Sequence, residues 1–249
     1  MYQRLFIGNK LINLKEVDST NSYLKQFLSD NNKEIEGLVV ATENQISGRG
    51  QKGNSWESEK QKNLTFSIYL KPNIVVHHQF LISKAISLGI VHFLGNLGLN
   101  NLKIKWPNDI YCENKKIAGI LIENNIRENK IYSSIVGIGL NVNQTTFNSD
   151  NNPTSIGNQI KKEHNLEELL NQLLFFIEKQ YIVLKSGNED KINTSYLDNF
   201  YWLNETRSFK INNKLTEGII TGVDIIGKLQ VEINKDVETF DLKEIEFLR

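Results

Sequence analysis

Lys103-Ile-Lys-Trp106 and Asp109-Ile-Tyr-Cys112, parted by Pro107-Asn108, open the stretch whose reading decides the fold. The turn Glu113-Asn-Lys115 leads into Lys116-Ile-Ala-Gly-Ile-Leu-Ile-Glu123, and Asn129-Lys130 turns the chain back into Ile131 to Val142. These runs are rich in β-branched and aromatic residues, and their connections are too short to hold a crossover helix. Hairpins are the economical way to join them, so the stretch predicts an antiparallel meander.

Outward from it, Gly37 to Ala41 is a buried-strand pattern, and Leu64, Phe66, Ile68 and Leu70 alternate with Thr65, Ser67 and Tyr69 up to Lys71-Pro72. Asp18-Ser-Thr-Asn21 offers capping oxygens before apolar Tyr23, Leu24, Phe27 and Leu28, a helix start. Further helices are predicted over Phe80 to Leu97, closed by Gly98, over Leu166 to Leu184 and over Ile192 to Leu203. A polar loop is predicted over Asn148 to Asn158. From Arg207 the texture changes to short strands punctuated by Gly218, Gly222 and Gly227, which predicts a small β-barrel. The fold class is therefore α+β: a mixed, largely antiparallel sheet with covering helices over residues 1–203, then a small C-terminal barrel over 204–249.

Composition narrows the function. The 249 residues are 39% hydrophobic and 23% charged, a globular balance with a real core. Lys plus Arg and Asp plus Glu each number 29, so no general electrostatic affinity for nucleic acid or anionic membrane is expected. Cys112 is the only cysteine and sits in an apolar run, which fits a core thiol in a reducing, cytoplasmic compartment. The sequence shows neither a secretory leader pattern nor a membrane span, since Glu178-Lys-Gln180 breaks the most apolar helix candidate. His77, His78, His92 and His164 form no metal or triad pattern and read as structural or solvated.

Four segments carry the chemistry. Ser47-Gly-Arg-Gly-Gln-Lys-Gly-Asn-Ser-Trp56 follows a strand and alternates Gly48, Gly50 and Gly53 with Arg49 and Lys52. Glycine lets backbone approach a ligand closely, and arginine clamps carboxylate or phosphate, so the loop suits an anion. Lys105-Trp-Pro-Asn-Asp109 packs a cation, an aromatic, a turn, an amide and a carboxylate together. Lys116 precedes small Ala118 and Gly119, and Gly137-Ile-Gly-Leu-Asn141 ends a strand in glycines and an amide. Taken singly, each also reads as a surface turn or a strand corner.

Together, and with Asp18-Ser-Thr-Asn21, these segments resemble biotin protein ligase, also called biotin–[acetyl-CoA-carboxylase] ligase. The resemblance runs from about Glu16 to Asn143, and more weakly through Glu217 to Glu232, where that family carries an SH3-like barrel. It implies activation of biotin with MgATP to biotinyl-5′-adenylate, then transfer to one lysine of a biotin carboxyl carrier domain. Catalytic roles fall by resemblance to Lys116, Arg49 and Asp109. Ser19, Thr20, Asn21 and Gln45 would read the ureido ring, with Gly48, Arg49, Gly50, Gln51, Lys116 and Gly119 around the rest of biotin. Arg49, Trp56, Lys105, Asn108, Asn141 and Lys116 would serve ATP, its magnesium near Asp109 and Asn141 and held through the phosphates.

Two departures from the family pattern stand out. Many bacterial relatives carry arginine where this chain has Gln51, which puts retention of the adenylate at that position in question; Lys52 could partly substitute. Relatives that double as repressors carry a helix-turn-helix module, and only 17 residues precede Asp18 here, so a monofunctional ligase without nucleic-acid binding is expected. The alternatives are lipoate or octanoyl ligation, whose arginine and double-glycine segment is not seen here, and a non-catalytic binding module. The sequence leaves monomer and homodimer both open.

Overall fold

A computed structural model of the chain describes residues 2–31, 34–148 and 152–248. The first part runs β1 (Leu11–Leu14), α1 (Thr20–Asn31), β2 (Val39–Thr42), β3 (Asn63–Leu70), β4 (Ile74–Val75) and α2 (Phe80–Asn96). The meander follows as β5 (Leu102–Lys105), β6 (Asp109–Cys112), β7 (Lys115–Arg127) and β8 (Lys130–Asn141). Then come α3 (Ile156–Ile160), α4 (Leu166–Lys185) and α5 (Glu189–Asp198). Of the polar loop expected over Asn148 to Asn158, residues 149–151 lie outside the described residues, and from Ile156 the chain is helical instead, started by Ser155, whose side chain accepts from Asn158 N.

The eight strands β1 to β8 form one sheet in the order β1-β2-β3-β8-β7-β6-β5, with β4 also paired to β8. All pairings are antiparallel except β1 with β2. The sheet is mixed and largely antiparallel, as the short connections required. Its two faces are used differently. Phe66, Ile68, Val136, Ile138, Leu140 and Ala118 are buried in a large core shared with α2 and α4. On the other face α1 covers only one end, packing Leu24 with Val40, Tyr69 and Ile135. The rest of that face is left to the cleft described below.

The C-terminal strands are β9 (Thr206–Ile211), β10 (Lys214–Val223), β11 (Leu229–Ile233), β12 (Asp236–Phe240) and β13 (Ile245–Phe247). They form a five-stranded antiparallel sheet in the order β12-β11-β10-β9-β13. That sheet is open: the expected barrel is not closed, because β12 and β13 end the path. Its buried Phe209, Ile220, Leu229 and Val231 belong to the same core as the larger sheet. The turn between β10 and β11 docks on the first part, where Trp106 Nε1 donates to Gly227 O at 2.8 Å. Gly227, with φ of +100°, lies flat on the Phe80 ring, where a Cβ would come within 2.8 Å.

One helix ends earlier than its apolar pattern suggested. Helix α5 starts at an Asn188 cap, whose Oδ1 accepts from Lys191 N, and stops at Asp198 rather than Leu203. Asn199 O accepts from Ile104 N at 2.7 Å and Tyr201 N donates to Ile104 O at 3.0 Å. Pairing with edge strand β5 thus wins over helix continuation, and Trp202 takes a φ of 61° to turn away. Phe200 and Tyr201 are buried there without being helical. Helix α2 does end as its sequence indicated, with Gly98 at φ of +87°.

Cys112 is buried, and burial followed by neighbouring Glu113 pushes its thiol up to about 11. It is protonated at neutral pH and no nucleophile. Glu178 shows what amphipathic patterning misses. It is only 3% exposed, and its carboxylate accepts from Leu5 N at 2.6 Å, Phe6 N at 2.8 Å and Ile7 N at 2.7 Å. A helix side chain thereby anchors the N-terminal segment. Glu178→Ala leaves those N–H groups without their acceptor and should lower stability by about 3 kcal/mol or more. Urea unfolding measures this, and an unchanged midpoint would show that the anchor contributes nothing.

Candidate active site

The register places the site. Lys105 faces Asp109 across β5 and β6, Asp109 faces Gly119 on β7, Gly119 faces Gly139 on β8, and Gly139 faces Thr65 on β3. Two residues along, Leu121 faces Gly137 and Gly137 faces Ser67. Directly paired residues point to one face, so these rows line the side that carries no large helix. Lys116 would by simple alternation point with Ala118 into the core. A bulge between β6 and β7 changes that: Ile110 pairs Ala118, but Tyr111 pairs Lys116. The extra residue returns Lys116 to the face of Asp109. Its Nζ lies 2.7 Å from Asp109 Oδ1, with side chains 21% and 19% exposed.

A cleft of about 780 Å³ opens over these rows. Of the residues singled out from sequence, it brings together Ser19, Thr20, Asn21, Gln45, Arg49, Gly50, Gln51, Trp56, Lys105, Asn108, Asp109, Lys116 and Gly119. Gly48 and Asn141 are not among its lining residues. Gly48 sits behind it, where a Cβ would come within 2.3 Å of Trp56 O, and its own carbonyl accepts from Trp56 N. Asn141 is buried and donates its amide to Thr154 O at 2.9 Å, holding the chain beyond β8.

The glycine loop is a small hairpin. Arg49 bridges Ser55, Gly50 N donates to Asn54 O at 2.6 Å, and a short 3-10 turn spans Gln51–Gly53. The side chain of Lys52 lies outside the described residues. The hairpin delivers Trp56 onto the sheet, where its indole rests on two glycines. A Cβ on Gly139 would come within 2.2 Å of that ring, and one on Gly119 within 2.9 Å. Lys116 Nζ stands 5.6 Å from the same ring, so aromatic, cation and carboxylate adjoin.

At the other end of the cleft, α1 presents Thr20 and Asn21. Thr20 N donates to Gln45 Oε1 at 2.9 Å. Asn21 Nδ2 donates to Glu123 Oε2 at 2.6 Å, and Asn21 Oδ1 lies 2.6 Å from Ser67 Oγ. Ser19 Oγ sits one turn back on Ser22 N at 3.5 Å. Arg49 Nη2 reaches Ser22 Oγ at 3.0 Å and Glu123 Oε2 at 3.5 Å. At the far end Asn108 donates to Ile120 O at 2.8 Å, fixing the corner that follows the cis Trp106-Pro107 bond. Lys105 Nζ lies 4.9 Å from the Phe247 ring of β13.

Sequence reasoning missed Glu123 and Ser67, which bond Asn21, and the C-terminal lining residues Leu242, Lys243, Ile245, Glu246, Phe247 and Leu248. Ser67 had a signal, sharing the alternating polar face of its strand with Thr65, and Glu123 shares alternation parity with Gly119. The C-terminal lining had none, because it depends on how the two sheets dock. Among the described residues no group of three or more His, Cys, Asp or Glu could hold a metal ion. Asp109 is paired with Lys116, and Asn141, though its Oδ1 has no hydrogen-bond partner, does not line the cleft, so a magnesium ion fits here as one carried by a ligand's phosphates.

Fold and cleft define a class: an α+β domain whose glycine hairpin adjoins a cation–carboxylate pair on an open sheet face. The model of the biotin/lipoate A/B protein ligase family matches residues 14–141. The chain belongs to that family. It is similar to the bifunctional ligase/repressor BirA of Bacillus spizizenii, 29% identical over 182 residues, which cover 70% of this chain and 54% of that protein. Against BirA of Bacillus subtilis it is 26% identical over 220 residues, 87% of this chain and 68% of that protein. This chain therefore spans little more than half the length of the first of these relatives and about two thirds of the second. The biotin protein ligase from Aquifex aeolicus in complex with biotin and ATP superposes with a TM-score of 0.79 at 25% identity, covering 97% of this chain and 99% of that one.

The seat of Trp56 is open to test. Gly139 lies in a regular strand, so alanine is tolerated by the backbone and its Cβ meets only the indole. Gly139→Ala should unseat the ring, giving red-shifted, acrylamide-accessible tryptophan emission and a stability loss of about 1–3 kcal/mol. Trp106 and Trp202 stay buried, so emission identical to wild type would place the Trp56 ring elsewhere.

Proposed function

We propose that this protein activates biotin with ATP to biotinyl-5′-adenylate and transfers the biotinyl group to a lysine of a biotin carboxyl carrier domain. The observation that carries this reading is the Lys116–Asp109 pair at 2.7 Å, set beside Trp56 and below the glycine hairpin. In the first step a carboxylate oxygen of biotin bonds to the α-phosphorus of ATP, and the bond to pyrophosphate breaks. Two anions must meet, so a fixed cation stabilises the charge that builds between them. Lys116 can turn its ammonium from Asp109 toward the acyl-phosphate oxygens, with Asp109 holding it in place. In the second step the acceptor lysine attacks the acyl carbon and AMP leaves.

Roles for the other residues follow their positions. Thr20, Asn21 and Gln45 offer donors and acceptors at the end of the cleft where a urea would lie, and Ser19 supports the start of α1. Trp56 would give the bound ligand an aromatic wall. Gly119 leaves the space that the indole and the ligand use. Arg49, Gly50 and Gln51 would close over the linkage, while Lys105 and Asn108 lie where the nucleotide's phosphates extend. Magnesium, carried by those phosphates, would lower their repulsion. Exclusion of water by the hairpin would protect the labile adenylate until the acceptor arrives.

Support comes from the family membership and from the likeness to the Aquifex aeolicus ligase in complex with biotin and ATP. Biotin-dependent exchange of labelled pyrophosphate into ATP tests the first step without an acceptor protein, with lipoate in parallel. Exchange is expected with biotin only; exchange with lipoate alone would move the activity to the sister reaction. Lys116→Ala should cut exchange by about a hundredfold or more while the circular dichroism is retained. A residual rate near wild type would remove Lys116 from the chemistry. Gln51→Arg adds a cation over the adenylate and should slow its release in a single-turnover assay, whereas equal release rates would show that position 51 does not hold it.

A further inference from the structure

Glu123 is used by none of the steps above, yet its Oε2 atom ties together the two halves of the cleft. It accepts from Asn21 Nδ2 at 2.6 Å and from Arg49 Nη2 at 3.5 Å. The contacts differ in kind. Arg49 and Glu123 side chains are 47% and 38% exposed, so their pair is screened and easily surrendered to an incoming anion. Asn21 is 3% exposed and lies against Gly137, where a Cβ would come within 2.5 Å of its Oδ1. Its amide has no room to wander, and only a flip about χ2 could exchange oxygen and nitrogen.

We propose that Glu123 is a positioning residue for the urea-reading end of the cleft, setting the orientation of the Asn21 amide and, through Ser67, the hydrogen-bonding polarity of Thr20. A flip of Asn21 would turn its carbonyl oxygen onto the Glu123 carboxylate, an encounter of two acceptors that nothing there offsets. The nitrogen therefore faces Glu123, and Oδ1 faces Ser67 Oγ at 2.6 Å as an obligate acceptor. Ser67 is fully buried and has one proton, which this contact consumes. Thr20 Oγ1, 2.7 Å from the same Ser67 oxygen, must then be the donor in that pair. The shorter contact takes the single Thr20 proton in preference to Gln45 Oε1 at 3.3 Å, and the hydroxyl's lone pairs are left to accept from the cleft.

Gln45 is oriented separately, because Thr20 N already donates to its Oε1 and leaves its NH2 as the donor. The end of the cleft thus presents an acceptor at Thr20 beside a donor at Gln45. That pairing matches a urea, whose N–H donates and whose oxygen accepts. This polarity is held chiefly by Glu123, with Leu121 O a longer second acceptor for Asn21 Nδ2 at 3.4 Å, and it rejects a wrong ligand by leaving buried groups unpaired.

This inference rests on the biotin reading above, and the test separates the two. Pyrophosphate exchange is measured over a range of biotin concentrations for the wild type, Glu123→Gln and Glu123→Ala, each checked for melting temperature. Glu123→Gln keeps an acceptor for Asn21 and is nearly isosteric, so it folds if the site does. KM for biotin should rise by about tenfold or more in Glu123→Ala while kcat changes little, and should recover partly in Glu123→Gln. A KM for biotin unchanged in Glu123→Ala, or a loss confined to kcat, would make Glu123 merely structural and overturn the proposal. No exchange with biotin by the wild type would instead overturn the functional reading, and this inference with it.

Discussion

Close approach to a sheet at three glycines is the constraint on which the rest of this structure depends. Gly119, Gly137 and Gly139 lie on adjacent strands and carry no Cβ into the space above them. Trp56 and Asn21 occupy that space so tightly that a methyl group on Gly139 or Gly137 would overlap them. The glycines act by leaving room, and the indole and amide use it. Because the opposite sheet face is packed by α2 and α4, the floor is stiff. On that stiff floor the indole is held 5.6 Å from Lys116 Nζ, beside the Lys116–Asp109 pair.

Polar groups around the cleft follow one logic of commitment. Several of its donors and acceptors have a partner that fixes what they can still offer, whereas Trp56 Nε1 is buried without a hydrogen-bond partner. Gln45 spends its oxygen on Thr20 N, Asn21 its nitrogen on Glu123, and Asn108 its amide on Ile120 O. What remains exposed to the cleft is therefore selective, since a buried group left unpaired costs more than a made bond gains. Lys116 and Asp109 are the exception: their mutual pair at 2.7 Å is one that a bound anion could replace without leaving either charge alone.

Much of this was legible in the sequence, element by element. The meander from Lys103 to Val142 was readable because its connections are short, and α2 because Gly98 stops it. Helix α5 was overextended because Phe200-Tyr-Trp-Leu203 is as apolar as a helix face, while its burial comes from pairing with β5. The C-terminal strands were visible as strands, but closure into a barrel depends on long-range pairing that alternation does not encode, and the sheet is open. Glu178 read as a break in an apolar helix, and only the fold puts three backbone N–H groups around it.

By itself the sequence determined the residue types of the site and the alternation that carries them. Glycines, a basic loop, a Lys-Trp-Pro-Asn-Asp corner and a lysine before small residues are local features, and local sterics and charge make them readable. Tertiary structure alone decided which of them meet. A single bulge turns Lys116 to the face of Asp109, and strand register aligns Gly119 with Gly139. Glu123 joins Asn21 and Arg49, residues far apart in the chain. Such partnerships depend on distances set by packing and pairing between remote segments, and no residue type or local spacing specifies those distances.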